Sequence, residues 1–318
     1  MAKRGAVKQA KKTADAGGIN PRQPCPCGSG KRYKACHGGS GAVDVPVARP
    51  FEGLAAECEL VALREFVPSA TVTLPLPADI EREVTLATVL PVAAAALVRA
   101  DGAAFLGLQV QTRSSDISRD VARALRWVLD AEPGDVLPAV GPDNGEDAGP
   151  KAERLQDILG ASAAIEPQLH SDFAWWMPEG SEPTGEVALS LERANAAIMP
   201  TERIGPAAYW VDAGDKAHLR WVRPEREEQL LAAMARLSVR GELALGEGSR
   251  YAGSFRAHGV LVPVWDLDPE SHAREWTEPA ERLATRLAEA LATVDSEPLN
   301  SEERRARAGL IGRQVTLR

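Results

Sequence analysis

Cysteine, histidine and aromatic residues are all scarce in this chain. Four cysteines and five histidines occur in 318 residues, and aromatics make up 5% of the total. Three of the cysteines, Cys25, Cys27 and Cys36, lie in one short stretch with His37 beside them. That distribution excludes a disulfide framework, in which paired cysteines are spread through a small secreted domain. Long hydrophobic runs are missing too. The longest candidate, around Leu90 to Val98, falls well short of the roughly 20 residues that span a bilayer. The basic start runs directly into Thr13, Asp15 and Gly17, so no secretory signal is read there. Complete catalytic signatures are also absent: there is no G-x-S-x-G, H-E-x-x-H or G-x-G-x-x-G. The GSGK stretch from Gly28 to Lys31 has Cys25 and Arg32 where a phosphate loop needs Gly and Ser or Thr. GEGSRY at 246–251 has Tyr251 where a dinucleotide loop needs its last Gly. A cytoplasmic protein is expected, and the reading leans away from an enzyme without closing that question. The abundance of Ala, Gly, Pro and Arg points to a bacterium with a GC-rich genome.

The charge that is present is divided. The chain carries a net −8. Residues 1–40 hold nine Lys and Arg against Asp15 alone, a local +8, so the remainder carries −16. A basic head on an acidic body suits an anionic partner, or docking of the head on its own body. Composition divides the chain in the same place. Residues 1–22 lack aromatics and read as a disordered basic tail. Residues 23–38 form the Cys/His unit, and 39–50 (GSGAVDVPVARP) read as a Gly/Pro linker. The body occupies 51–318 and reads as α+β, mixed and mainly antiparallel. The acidic Pro/Gly segment within 133–152 marks a candidate boundary between two lobes.

Helical periods stand out in three places within the body. Ile117, Val121, Leu125 and Val128 share one face of 115–130. Leu230, Met234 and Leu237 share one face of a helix with Pro224 in its first turn. Leu283, Leu287 and Leu291 follow Thr277 as a cap. The basic segment 301–318 reads as a further, partly packed helix. Alternation predicts strands in ATVTLPL, AFLGLQVQT and GVLVPVWDL, the last at a sheet edge because of Pro263. AAYWVDAGDKAHLRWVR reads as a hairpin turning at Ala213 to Asp215.

The chemistry of the Cys/His unit can be narrowed from its residues. Haem attachment needs C-x-x-C-H, and Tyr33 stands where the first Cys should be. A Cys25–Cys27 disulfide would close a very tight loop and leave Cys36 unpaired. A tetrahedral zinc site needs four N or S ligands, and the unit supplies three thiolates and an imidazole. Pro24 and Pro26 favour an extended course past Cys25 and Cys27, and Gly28, Ser29 and Gly30 permit a sharp return. Sixteen residues cannot bury a core, so metal would supply the folding energy.

The stretch PCPCGSGKRYKACHG resembles the SEC-C motif, the small zinc-binding segment at the C-terminus of the SecA translocase motor. The resemblance implies one zinc ion held by Cys25, Cys27, Cys36 and His37. It also implies an interaction module, since the SecA segment binds the SecB chaperone and is linked to the ribosome. It covers a small part of the chain, and the body carries none of SecA's nucleotide motifs. The body resembles an uncharacterised actinobacterial family that carries this motif near its N-terminus. RPFEGL at 49–54, FRAHGVLVPVWDL at 255–267 and EERRARAGLIGRQVTLR at the C-terminus carry that resemblance, and no function comes with it.

Lys31, Arg32 and Lys34 rim the metal loop with Tyr33 among them. Cations interleaved with an aromatic suit an acidic protein surface, and equally phosphates and an unstacked base. A protein partner is the leading expectation, and RNA or the ribosome the second. In the body, Cys58 sits on an amphipathic run and reads as an inert core thiol. Five of the seven tryptophans lie between 175 and 221 or at 265. Most read as core. His170, Asp172, Trp175 and Trp176, in HSDFAWWMPEG, form the candidate pocket. His258 and Asp266 fall at opposite ends of one strand, too far apart to share a site. Oligomeric state leaves no mark on the sequence.

Overall fold

The computed structural model describes residues 22–24, 31–33, 46–110, 115–139 and 152–315. The chain divides into two compact units, Met1–Asp44 and Val45–Arg318. Seven α-helices and eleven strands are formed among the described residues of the second unit. In chain order they are α1 (Glu57–Glu65), β1 (Ala70–Thr73), β2 (Val84–Ala87), β3 (Ala96–Val98), β4 (Ala104–Gly107), α2 (Ile117–Asp130), β5 (Val136–Leu137), α3 (Leu155–Leu159) and β6 (Gln168–Leu169). The second half adds α4 (Gly185–Ala196), β7 (Thr201–Gly205), β8 (Ala208–Asp212), β9 (Ala217–Trp221), α5 (Glu227–Val239), β10 (Arg250–Ala257), β11 (Val260–Leu267), α6 (Thr277–Ala292) and α7 (Ser301–Ile311). No helix among the described residues is long and apolar enough to cross a membrane.

The strands form two sheets, and the body is α+β as the sequence indicates. One sheet runs β5-β3-β4-β2-β1-β6, antiparallel except for the parallel pair β2–β4. The other runs β10-β11-β9-β8-β7 and is antiparallel throughout. A single core joins them. It brings Val72, Leu86 and Leu106 of the first sheet together with Leu60 and Leu63 of α1, Leu125 of α2, and Tyr209, Val211 and Val262 of the second sheet. The opposite face of the second sheet presents Leu219 and Trp265 to Leu230 and Met234 of α5 and Leu283 and Leu287 of α6. Both sheets thus depend on one shared core, and the segment 133–152 does not part the described elements into two separate cores. Residues 140–151 of it lie outside the described residues.

Helix ends follow local chemistry. Asp116 caps α2 by accepting from Ser118 N at 3.0 Å. Asn300 caps α7 by accepting from Glu303 N at 3.0 Å, while the Glu303 carboxylate accepts from Asn300 N at 2.8 Å, a capping box. Two expected starts are displaced. α5 begins at Glu227, after Pro224, because Arg223 still bridges to Leu261 and holds the chain extended. Thr277 is the first residue of α6 rather than its cap. A 3₁₀ turn, Ala273–Trp276, leads into the helix, and His272 caps that turn.

Pro263 does not lie at an edge. β11 sits between β10 and β9. The β9 ladder ends at the pair Val264–Arg220 and resumes only at the Arg223–Leu261 bridge, so the missing proline N–H falls in that gap. The strand predicted through Leu106, Leu108 and Val110 stops at Gly107. A Cβ there would lie 2.5 Å from the Ala94 carbonyl oxygen, so only glycine permits this approach to the chain just before β3. All four residues of β4 are buried, which is why simple alternation describes it poorly.

Glu59 of α1 is 7% exposed. Its carboxylate accepts from Arg203 Nη2 at 2.8 Å, from Arg203 Nε at 3.0 Å, from Ala207 N at 2.9 Å and from the Tyr209 hydroxyl. Burial, reinforced by that carboxylate, holds the Tyr209 hydroxyl protonated well above its ordinary range. Replacing Glu59 by Ala would leave these donors facing an emptied site, and the expected loss of stability in urea unfolding is about 3–5 kcal/mol. Tyr209→Phe removes one charge-assisted bond and is expected to cost about 1.5–3 kcal/mol. A Glu59→Ala loss below about 1 kcal/mol would mean that water solvates the site.

Candidate functional site

In the first unit, Pro24 pairs with Arg32 in an antiparallel bridge and Tyr33 N donates to Gln23 O at 2.8 Å. These contacts set residues 23–24 beside residues 32–33. Lys31 and Arg32 are exposed and Tyr33 is half-buried. Cys25, Cys27, Lys34, Cys36 and His37 lie outside the described residues. Three thiols and an imidazole are the donor chemistry of a closed structural zinc site. Among the described residues no group of three or more His, Cys, Asp or Glu side chains is placed to hold a metal.

The body contains a cavity of about 690 Å³ between the edge strands β6 and β7. Leu169 and His170 line one side, Thr201, Glu202 and Arg203 another, with Asn195 at the end of α4 and Trp210 of β8. His170 is fixed at both backbone and ring: its N–H donates to Ser69 O at 2.9 Å, and Nε2 lies 2.8 Å from Thr71 Oγ1. Burial pushes the imidazole pKa down, against the pull of Asp172. Arg203 brings a charge already matched by Glu59 behind it and by Glu166 at 3.3 Å. A neutral imidazole, an amide and a compensated guanidinium suit a polar ligand of low net charge. A neighbouring cavity of about 440 Å³ lies beneath α4, with Asn195 common to both.

Of the four residues proposed to form a pocket, His170 alone lines the larger cavity. Trp175 Nε1 donates to Ser69 Oγ at 3.0 Å, and Trp176 Nε1 to Val89 O at 3.1 Å. Trp175 packs on Phe105 and the small apolar cluster around it, and Trp176 stacks on Phe173. Asp172 Oδ1 accepts from Ala174 N at 2.9 Å and so starts the 3₁₀ turn Ala174–Trp176 that carries both rings. Thr71, Asn195, Arg203 and Trp210 had no local signature in the sequence.

Cys58, His258 and Asp266 stand apart from both cavities. Cys58 is half-buried, and burial pushes its thiol up to about 12, so it is a poor nucleophile. His258, at the β10–β11 turn, meets Glu65 at 2.6 Å. Asp266, at the far end of β11, meets Lys216 at 3.0 Å and Arg250 at 2.8 Å. The two residues share nothing.

Residues 50–318 match the family of unknown function DUF5926, over most of the chain. The chain belongs to that family. Residues 22–39 match the SEC-C motif. Over 31 residues the chain is 55% identical to protein translocase subunit SecA of Rubrobacter xylanophilus, a stretch that covers 10% of this chain and 3% of that protein. No solved structure matches.

The His170 environment has a pH consequence. A histidine whose pKa is lowered on folding contributes stability above its unfolded value, and that contribution is lost as pH falls through the folded value. The His170 ring is expected to titrate below 6.5 by NMR, and stability to decline on acidification through that range. Thr71→Val, which removes the ring's hydroxyl partner, is expected to shift the midpoint. An unchanged midpoint would show that the Thr71 contact is not made in solution.

Proposed function

We propose that this protein is a zinc-headed adaptor. The SEC-C match at 22–39, on a chain with none of the motor sequence, carries that reading. Cys25, Cys27, Cys36 and His37 would hold one zinc ion, whose part is structural: it ties together a segment too small to bury a core. Lys31, Arg32, Tyr33 and Lys34 then form a compact cationic surface with one aromatic, suited to an acidic face of a protein at the ribosome or the export machinery. The acidic body would limit contact of the same chain with other anionic surfaces by like-charge repulsion. A second reading, favoured by the cavity beside His170, is that the body also binds a small polar molecule and the head recruits the protein to where that molecule is made or used.

The test combines metal analysis with capture. The purified full chain is expected to carry one zinc per molecule by mass spectrometry. A Cys25→Ser/Cys27→Ser variant is expected to lose it with no change in the melting of the body. Capture from lysate with the intact chain is expected to yield a protein partner that survives RNase and is lost with the double variant. A partner removed by RNase would redirect the head to RNA. Identical captures by both chains would overturn recruitment through the zinc head.

A further inference from the structure

Among the described residues, three arginines are more than nine-tenths buried: Arg119, Arg220 and Arg236. Arg119 lies 3.4 Å from Asp116. Arg236 donates to the Thr293 hydroxyl and the Glu297 carbonyl. Arg220 is different. It stands in the middle of the second sheet, opposite Tyr209 on one side and Val264 on the other, and its guanidinium lies 5.7 Å from the centre of the Phe66 ring. No carboxylate pairs with it and no oxygen accepts from it among the described residues, although it is only 7% exposed. Its nitrogens are not sealed from solvent, so a counter-ion from solution can reach a charge that the fold leaves unmatched.

The neighbouring row supplies an approach. His218 lies two residues along β9 on the same face, roughly 7 Å away along the strand. Beside it are Asp266, Lys216 and Arg250. Burial pushes the His218 imidazole pKa down, with Arg220 and Lys216 adding to that effect. Lys216 and Arg250 share the Asp266 carboxylate, and Arg220 stands one row inward, so these groups together carry an excess of two positive charges within a body of strongly negative net charge. A guanidinium binds two oxygens of one group in parallel, and that charge excess matches a dianion.

We infer that the His218–Arg220 face of the second sheet binds a phosphate dianion, as the free ion or on a small phosphomonoester. Arg220 grips two oxygens at the inner end, His218 contributes a ring N–H, and Lys216 and Arg250 stand at the mouth. None of these four residues lines the cavity beside His170.

The test is thermal melting and calorimetric titration of the full chain with inorganic phosphate, against chloride at equal ionic strength, with glycerol 3-phosphate as a second probe. Phosphate is expected to raise the melting temperature and to bind saturably. Tighter binding of the ester would assign the phosphomonoester, and tighter binding of the ion the free form. Arg220→Met is expected to abolish the phosphate response and, without phosphate, to melt no lower than the parent chain. Should that variant fail to fold, Lys216→Ala, at an exposed position, is expected to weaken binding several-fold without changing the melting of the free protein. Equal effects of phosphate and chloride would overturn the inference. So would a phosphate response retained in Arg220→Met or unchanged in Lys216→Ala. A uniform loss of stability in Arg220→Met in both media would assign Arg220 to packing on Phe66 alone.

Discussion

The body is organised around one buried carboxylate. Taking Glu59 out of water costs several kcal/mol, and only a full set of donors offsets that. The donors come from β7, β8 and the turn between them, 144 to 150 residues further along the chain. α1 must therefore dock on the second sheet in one register. The turn itself depends on the same contact. Ala207 adopts φ 50, a left-handed conformation that costs a non-glycine residue of order 1 kcal/mol, and its N–H is the one aimed at Glu59. A second acid two positions earlier anchors the start of the body: Glu57 holds Arg49 at 2.6 and 2.7 Å, and Arg49 reaches the Pro224 carbonyl at 2.9 Å. One helix thus ties the segment before it to the second sheet, and its apolar side closes the core of the first.

That arrangement shapes the cavity as well. Arg203 belongs to both. Its guanidinium is held from behind by Glu59, so it presents hydrogen bonds to the cavity without a net positive charge. Where the fold supplies a carboxylate, the arginine becomes a neutral polar wall. At Arg220 it supplies none among the described residues. The two arginines flank Tyr209 in the strand register, yet one is saturated and the other is not. Packing alone does not explain the difference, because a methionine would fill the place of Arg220 against Phe66 without a charge to desolvate.

How much of this was legible in the sequence follows from the range of each interaction. α2, α5 and α6 announce themselves because Val121, Leu125, Leu230, Met234, Leu283 and Leu287 all face one way at helical spacing. The β8–β9 hairpin was readable because its turn at Gly214 is local chemistry, with Ala213 N donating to Lys216 O at 2.9 Å. β2, β3, β5 and β6 were not, because two to four residues carry too little pattern to register. The placing of Pro263 failed for a different reason. The rule that proline avoids central strands assumes an unbroken ladder, and here the ladder is interrupted at that residue. Trp175 and Trp176 were conspicuous as sequence, yet their indole N–H groups are bound to Ser69 and Val89, partners that nothing in HSDFAWWMPEG reveals. His170 was noticed only because it lay beside them.

The head and the body are legible in opposite ways. On the reading proposed above, the head can be read from sequence because the interaction that would stabilise it is short-range and chemically specific: three Cys and one His within thirteen positions are the donor set of a zinc site. The body cannot, because its decisive contacts join residues more than a hundred positions apart. Arg220 is the extreme case. In AHLRWVR it is one cation in an alternating strand, indistinguishable from a solvated one. Only its burial and its lack of a partner set it apart, and both are properties of the folded chain. A functional group that leaves its native charge unmatched will therefore be invisible to motif reading and visible to an account of which buried charges are paired.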